Sequence, residues 1–199
     1  MRGAEATDVD HRLLRRGLRL EYLTVGWMTL EAAVAIASGI VAHSIALVGF
    51  GLDSVIELFA GSVLIWQLRN PTEETEDRAR RLIAVTFFLL AVYVLSEATR
   101  DLVSGSRPDQ APAGIILAVA ALLLMPALGI SKRRTALQLH NEALQADAAE
   151  TLFCAWLAVV LLVGLLLNAA LGWWLGDPIA GVVIGLFAVR EGWETWRGE

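Results

Sequence analysis

Long apolar stretches recur along this chain, each closed by a short polar break. They fall near residues 20–41, 45–68, 82–102, 113–130, 143–171 and 178–196. Each approaches the about 20 apolar residues an α-helix needs to cross roughly 30 Å of hydrocarbon. The breaks carry turn and charge signals: Arg69, Asn70 and Pro71; Gly105 to Pro108; Ser131 to Arg134; and Gly172 to Pro178. The expected fold is all-α, a six-helix polytopic transmembrane bundle. The link around His43 is so short that the first two helices should form a tight antiparallel hairpin.

Composition agrees. The chain is 56% hydrophobic, above the about 45–50% usual for soluble domains, and its mean hydropathy is +0.59. A net charge of −5 gives no reason to expect nucleic acid. The single cysteine, Cys154, excludes an intramolecular disulfide framework and a cysteine-only zinc site.

Lys and Arg set the expected orientation. Arg2, Arg12, Arg15, Arg16 and Arg19 precede the first stretch. Arg69, Arg78, Arg80 and Arg81 flank the second link, Lys132, Arg133 and Arg134 the fourth, and Arg190 and Arg197 lie near the end. The opposite side has Arg100 and Arg107. By the positive-inside rule both termini are cytoplasmic, and an even number of spans follows. Residues 1–19 are then a basic cytoplasmic segment and residues 20–199 the six-helix domain. The first apolar run is long for a signal sequence and contains Glu31, so it is expected to be retained. Trp173, Trp174, Trp193 and Trp196 suit interfacial anchoring.

Ionisable groups inside a membrane are costly, about 2.5 kcal/mol each or more, and mark functional sites by default. Asp53 and Glu57 are one helical turn apart and share a face, where they can hold one divalent cation between them. On the fifth stretch Asp147, Glu150 and Cys154 follow at intervals of three and four. Carboxylate with thiolate suits zinc or another borderline-soft divalent ion. Three roles fit Glu31: a proton-relay acid, an extra ligand, or a hydrogen-bonding partner to another helix. Glu97, with Arg100 and Asp101 close behind, reads as part of an outer polar cluster. His43 and His140 fall outside the apolar stretches.

Two four-spaced pairs, on the second and fifth of six helices, resemble the transmembrane domain of the cation diffusion facilitators. "SIALVGFGLDSVIE" is similar to that family's second helix, with Asp53 and Glu57 on its two ligand positions. "LQADAAETLFC" is similar to its fifth, with Glu150 and Cys154 where the family usually has His or Asp, and Asp147 on the upstream aspartate. The likeness runs from the first helix to the sixth. Glu199 follows the sixth helix directly, so the chain looks like a short branch lacking the cytoplasmic carboxy-terminal domain. The resemblance implies a secondary transporter that exports a divalent cation, most often Zn²⁺, in exchange for protons. It also implies a homodimer formed through the membrane helices and, for a bacterial protein, residence in the cytoplasmic membrane. Metal and protons are substrates, and no prosthetic group is expected. The ligands implied are Asp53, Glu57, Glu150 and Cys154, with Asp147 accessory.

Two other classes compete with transport. An enzyme needs a nucleophile with its base, or a denser acid cluster; His-Glu-x-x-His and serine–histidine arrangements are absent from the sequence. A non-transporting accessory or metal-buffering module is the alternative reading.

Overall fold

In the computed structural model the described residues form six helices: α1 (Arg2–Ala42), α2 (Ile45–Arg69), α3 (Glu73–Ser104), α4 (Pro112–Leu139), α5 (Glu142–Leu171) and α6 (Gly176–Arg197). The structure describes residues 2–69, 73–139 and 142–197; within these, the side chains of 2–12, 14, 60–69, 73–77, 79, 80, 142, 143 and 146 are not described. Asn70, Pro71 and His140 thus lie outside the described residues.

Local chemistry places the turns. The α1–α2 link puts His43 in the left-handed region at φ 53°. Around it the His43 N–H donates to the Ile40 carbonyl at 3.4 Å and the Ser44 N–H to the Gly39 carbonyl at 2.9 Å. These two bonds satisfy carbonyls that the helix end leaves open. Ser44 then starts α2, its hydroxyl accepting from the Leu47 N–H at 3.1 Å. Gly105 (φ 68°) ends α3, and the Ser106 N–H closes back on the Asp101 carbonyl at 3.2 Å. Cross-links at the same end include the Asp109 N–H on the Ala42 carbonyl at 2.8 Å and Asn168 Nδ2 on the Pro108 carbonyl at 3.0 Å.

Asp177, in the first turn of α6 and 1% exposed, reaches across to α2. It accepts from the Ser44 hydroxyl and from the Ile45 N–H at 3.0 Å. A carboxylate at a helix N-terminus meets both orphan N–H groups and the positive end of the macrodipole. This ties the start of α6 to the start of α2.

α2 packs against α1, α3, α5 and α6, while α3 pairs with α6, α4 with α5, and α1 also with α4. The main core gathers Leu47, Phe50, Met125, Leu157, Leu161 and Ile184 with many alanines. Large apolar side chains such as Val41, Leu89, Val103, Ile116, Leu123 and Leu171 face outward, as lipid-facing residues do. Arg81 of α3 lies over the Trp196 ring of α6 at 5.8 Å.

Among the described residues, four helical segments are long and apolar enough to cross a membrane: Arg15–Ala42, Arg81–Ser104, Pro112–Leu139 and Asp147–Leu171. Side chains of α2 are described only over 45–59. In α6, Arg190, Glu191 and Glu194 shorten the apolar run.

Helix ends depart from expectation. The break expected at Ser131 to Arg134 is helical, and α4 runs on to Leu139. Lys and Arg are good helix formers and no Gly or Pro intervenes there. α1 starts at Arg2 and α3 at Glu73 rather than near Leu20 and Leu82, for the same reason: charge ends an apolar run without ending a helix.

Candidate metal site

Asp53 and Glu57 project from one face of α2 into a cavity of about 290 Å³, whose walls include Phe87, Glu150, Phe153, Glu191 and Glu194. Asp53 is 5% exposed and, among the described residues, accepts no hydrogen bond. Glu57 Oε2 is buried and is the one such side-chain N or O atom among the described residues without a hydrogen-bond partner. Glu150 stands exposed at the wall supplied by α5. Buried carboxylates without donors carry a desolvation penalty that a cation, or protons, offsets. Among the described residues no three His, Cys, Asp or Glu side chains close into a metal-holding group. The acids share a space wide enough for a hydrated ion without converging on one point.

Cys154 is fully buried and faces elsewhere. Its thiol donates to Glu31 Oε1 at 3.6 Å, the Ser54 hydroxyl donates to the same oxygen at 3.0 Å, and Trp27 Nε1 donates to Oε2. Glu31 is 0% exposed. These contacts knit α1, α2 and α5 just behind the cavity. The thiol does not line the cavity.

Asp147 belongs to a third cluster. The Lys132 ammonium, with no exposed surface, lies 2.6 Å from Asp147 Oδ2 and 3.1 Å from Glu21 Oε2. It also lies 3.5 Å from the Thr151 hydroxyl. This joins α1, α4 and α5 near the end of the bundle that carries the α4–α5 link.

At the opposite end Glu97 pairs with Arg100 at 3.4 Å. Both border a cavity of about 400 Å³ with Asp101 and His43.

The structure therefore brings Asp53, Glu57 and Glu150 together, and places Cys154 with Glu31 and Asp147 with Lys132. Glu21, Asp177, Glu191 and Glu194 lie outside the acids expected from the sequence, and Lys132 falls in the expected fourth link. Lys132 carried a usable signal: once α4 continues, it lies on the buried face of Leu128, Gly129, Thr135 and Ala136 at helical spacing. Which face of α6 meets α2 is a tertiary fact, and Glu191 had no such signal.

Residues 23–197 match the family model described as the cation efflux transmembrane domain. The chain is 25% identical over 187 residues to an uncharacterised transporter of Synechocystis, covering 88% of this chain and 60% of that protein. It is 23% identical to transmembrane protein 163 of Xenopus laevis (89% and 65% covered). To the magnetosome protein MamB of a Magnetospira strain it is 19% identical (87% and 61%). The chain spans about three-fifths of the length of these curated relatives.

Proposed function

We propose, for a chain that belongs to the cation efflux family, that it carries a divalent metal cation across a membrane, Zn²⁺ first among the candidates, in exchange for protons. The observation that supports this is the orphaned Glu57 Oε2 beside the unbonded Asp53, both facing one cavity with Glu150. Ionised, these acids offer oxygen ligands that Zn²⁺ accepts. Protonated, they release it, so metal and protons compete for one place.

In this conformation the ligands are Asp53, Glu57 and Glu150. Cys154 and Asp147, expected in the same set, are engaged by Glu31 and Lys132. Glu31, held by donors from three residues, is a candidate to exchange a proton with the site it backs. With both termini cytoplasmic, as the Lys and Arg distribution supports, the cavity lies in the cytoplasmic half of the bundle. It is then placed to load metal for export. The proposed setting is a bacterial cytoplasmic membrane, with residues 1–19 on the cytoplasmic side and two copies meeting through their membrane helices.

The test is Zn²⁺ flux in proteoliposomes under an imposed pH gradient, with Asp53→Ala beside the unaltered chain. Proton-dependent flux that disappears in folded Asp53→Ala is the expected result. Equal flux from both proteins removes the proposed site. No flux from the unaltered folded chain favours a metal-buffering module.

A further inference from the structure

We propose that Glu191, on α6, is a further metal-binding carboxylate of this cavity, so that three helices supply its oxygens. The inference rests on the reading of Asp53, Glu57 and Glu150 as metal ligands and extends it to an element from which sequence comparison supplied no ligand.

Glu191 lines the same cavity as those three acids, half-buried, in the last third of α6. It thus shares one cavity wall with Asp53 and Glu57 of α2 and Glu150 of α5. Among the described residues it has no hydrogen bond or ion pair, whereas Glu194, one turn on, is taken by Arg190 Nε at 2.7 Å.

Local packing explains how it gets there. At Gly192 a methyl group would meet Phe88 Cε1 at 3.0 Å and Phe87 Cβ at 3.2 Å. The bare backbone lets α6 lie close on α3 beside the cavity wall that Phe87 forms.

The charge balance points to a cation. Asp53, Glu57, Glu150 and Glu191 face one space with Glu194, which Arg190 pairs, and among the described residues its lining contains no Lys, Arg or His. Asp53, nineteen-twentieths buried and unbonded, is aimed into it. Like charges gathered in a low dielectric repel strongly, and a divalent ion with retained protons is what lets them coexist. Oxygen ligands from α2, α5 and α6 then make metal binding draw α6 toward α2 and α5.

Zn²⁺ titration calorimetry on the full chain in detergent, at one pH and at low and high salt, tests this. The variants are Glu191→Gln, Glu194→Gln and Asp53→Ala, each confirmed folded by its thermal transition. Changes around metal sites typically lower affinity about 10- to 100-fold. Glu191→Gln is expected to lose that much at both salt levels, with Glu194→Gln unchanged and Asp53→Ala not binding. Glu191→Gln binding like the unaltered chain, while Asp53→Ala fails, leaves the site standing and removes Glu191 from it. A Glu191→Gln loss that vanishes at high salt, or is matched by Glu194→Gln, makes Glu191 a screened mouth charge and overturns the inference. Unaltered binding by Asp53→Ala, or none by the folded native chain, overturns the site and the role of Glu191 together.

Discussion

The ammonium of Lys132 stands 2.6 Å from the carboxylate of Asp147 with no surface of its own exposed. Glu21 completes the cluster from α1 at 3.1 Å. A buried charge stripped of its partner is strongly destabilising, by about 3–5 kcal/mol. Glu21 and Asp147 each keep about a third of their surface open, so Lys132→Met should fall near the low end, about 3 kcal/mol. The combined variant with Asp147→Asn and Glu21→Gln should recover most of the loss, because no charge is then left alone. Thermal unfolding in detergent reads both. A Lys132→Met chain as stable as the unaltered one would show that water already solvates the cluster.

The thiol of Cys154 is committed to Glu31 in this conformation. A serine hydroxyl donates the same bond, so Cys154→Ser should leave Zn²⁺ flux and the order of metals unchanged. Cys154→Ala removes one of three donors from a fully buried carboxylate and should cost about 1 kcal/mol or more. Comparing Zn²⁺ and Cd²⁺ flux decides the matter. If Cys154→Ser lost Cd²⁺ transport more than Zn²⁺, the softer ion would be reporting sulfur as a ligand.

The six helices were legible because apolar runs of span length recur between charge clusters. Their ends were not, since Lys132, Arg133 and Arg134 leave the apolar run and yet continue α4. At the site, the four-residue spacing of Asp53 and Glu57 placed both on one face of α2, and both reach the cavity. The same spacing linked Glu150 to Cys154. Four residues turn a helix by about 40° beyond a full turn, which carries Cys154 round toward Glu31 of α1. Spacing on one helix cannot say which neighbour fills the adjoining groove. Glu191 was invisible for that reason, since it meets the cavity only when α6 arrives beside α2 and α5.

Two glycines on α1 should respond in opposite ways to alanine. At Gly26 an added methyl group meets nothing within 4 Å. Gly26→Ala should therefore gain up to about 1 kcal/mol from helix propensity alone. At Gly39 the methyl group would lie 2.8 Å from the Val48 backbone nitrogen and 2.7 Å from Val48 Cγ2. There the propensity gain is outweighed by forcing α1 off α2, with a net loss of about 1–3 kcal/mol. Unfolding midpoints measured side by side check the pair. Stability in Gly39→Ala equal to that in Gly26→Ala would mean the hairpin relaxes without penalty.

Asp53, Glu57 and Glu150 must be ionised to act as ligands, and the metal-bound form is therefore favoured as pH rises. Zn²⁺ affinity should fall as pH is lowered, because protons then occupy the same oxygens. The same linkage requires that Zn²⁺ binding expel protons wherever the empty site retains them. Five carboxylates line one cavity, and among the described residues only Glu194 has a basic partner, Arg190; such retention is then the expected resting state. Calorimetry in buffers of different ionisation enthalpy counts the protons released, since each is taken up by the buffer with its own heat. At least one proton per Zn²⁺ is expected from the unaltered chain, and fewer from Glu57→Gln, whose amide has none to give. Heats independent of the buffer would mean that the acids are already ionised when empty. Proton exchange at this site would then fail as the source of transport coupling, while metal binding itself would survive.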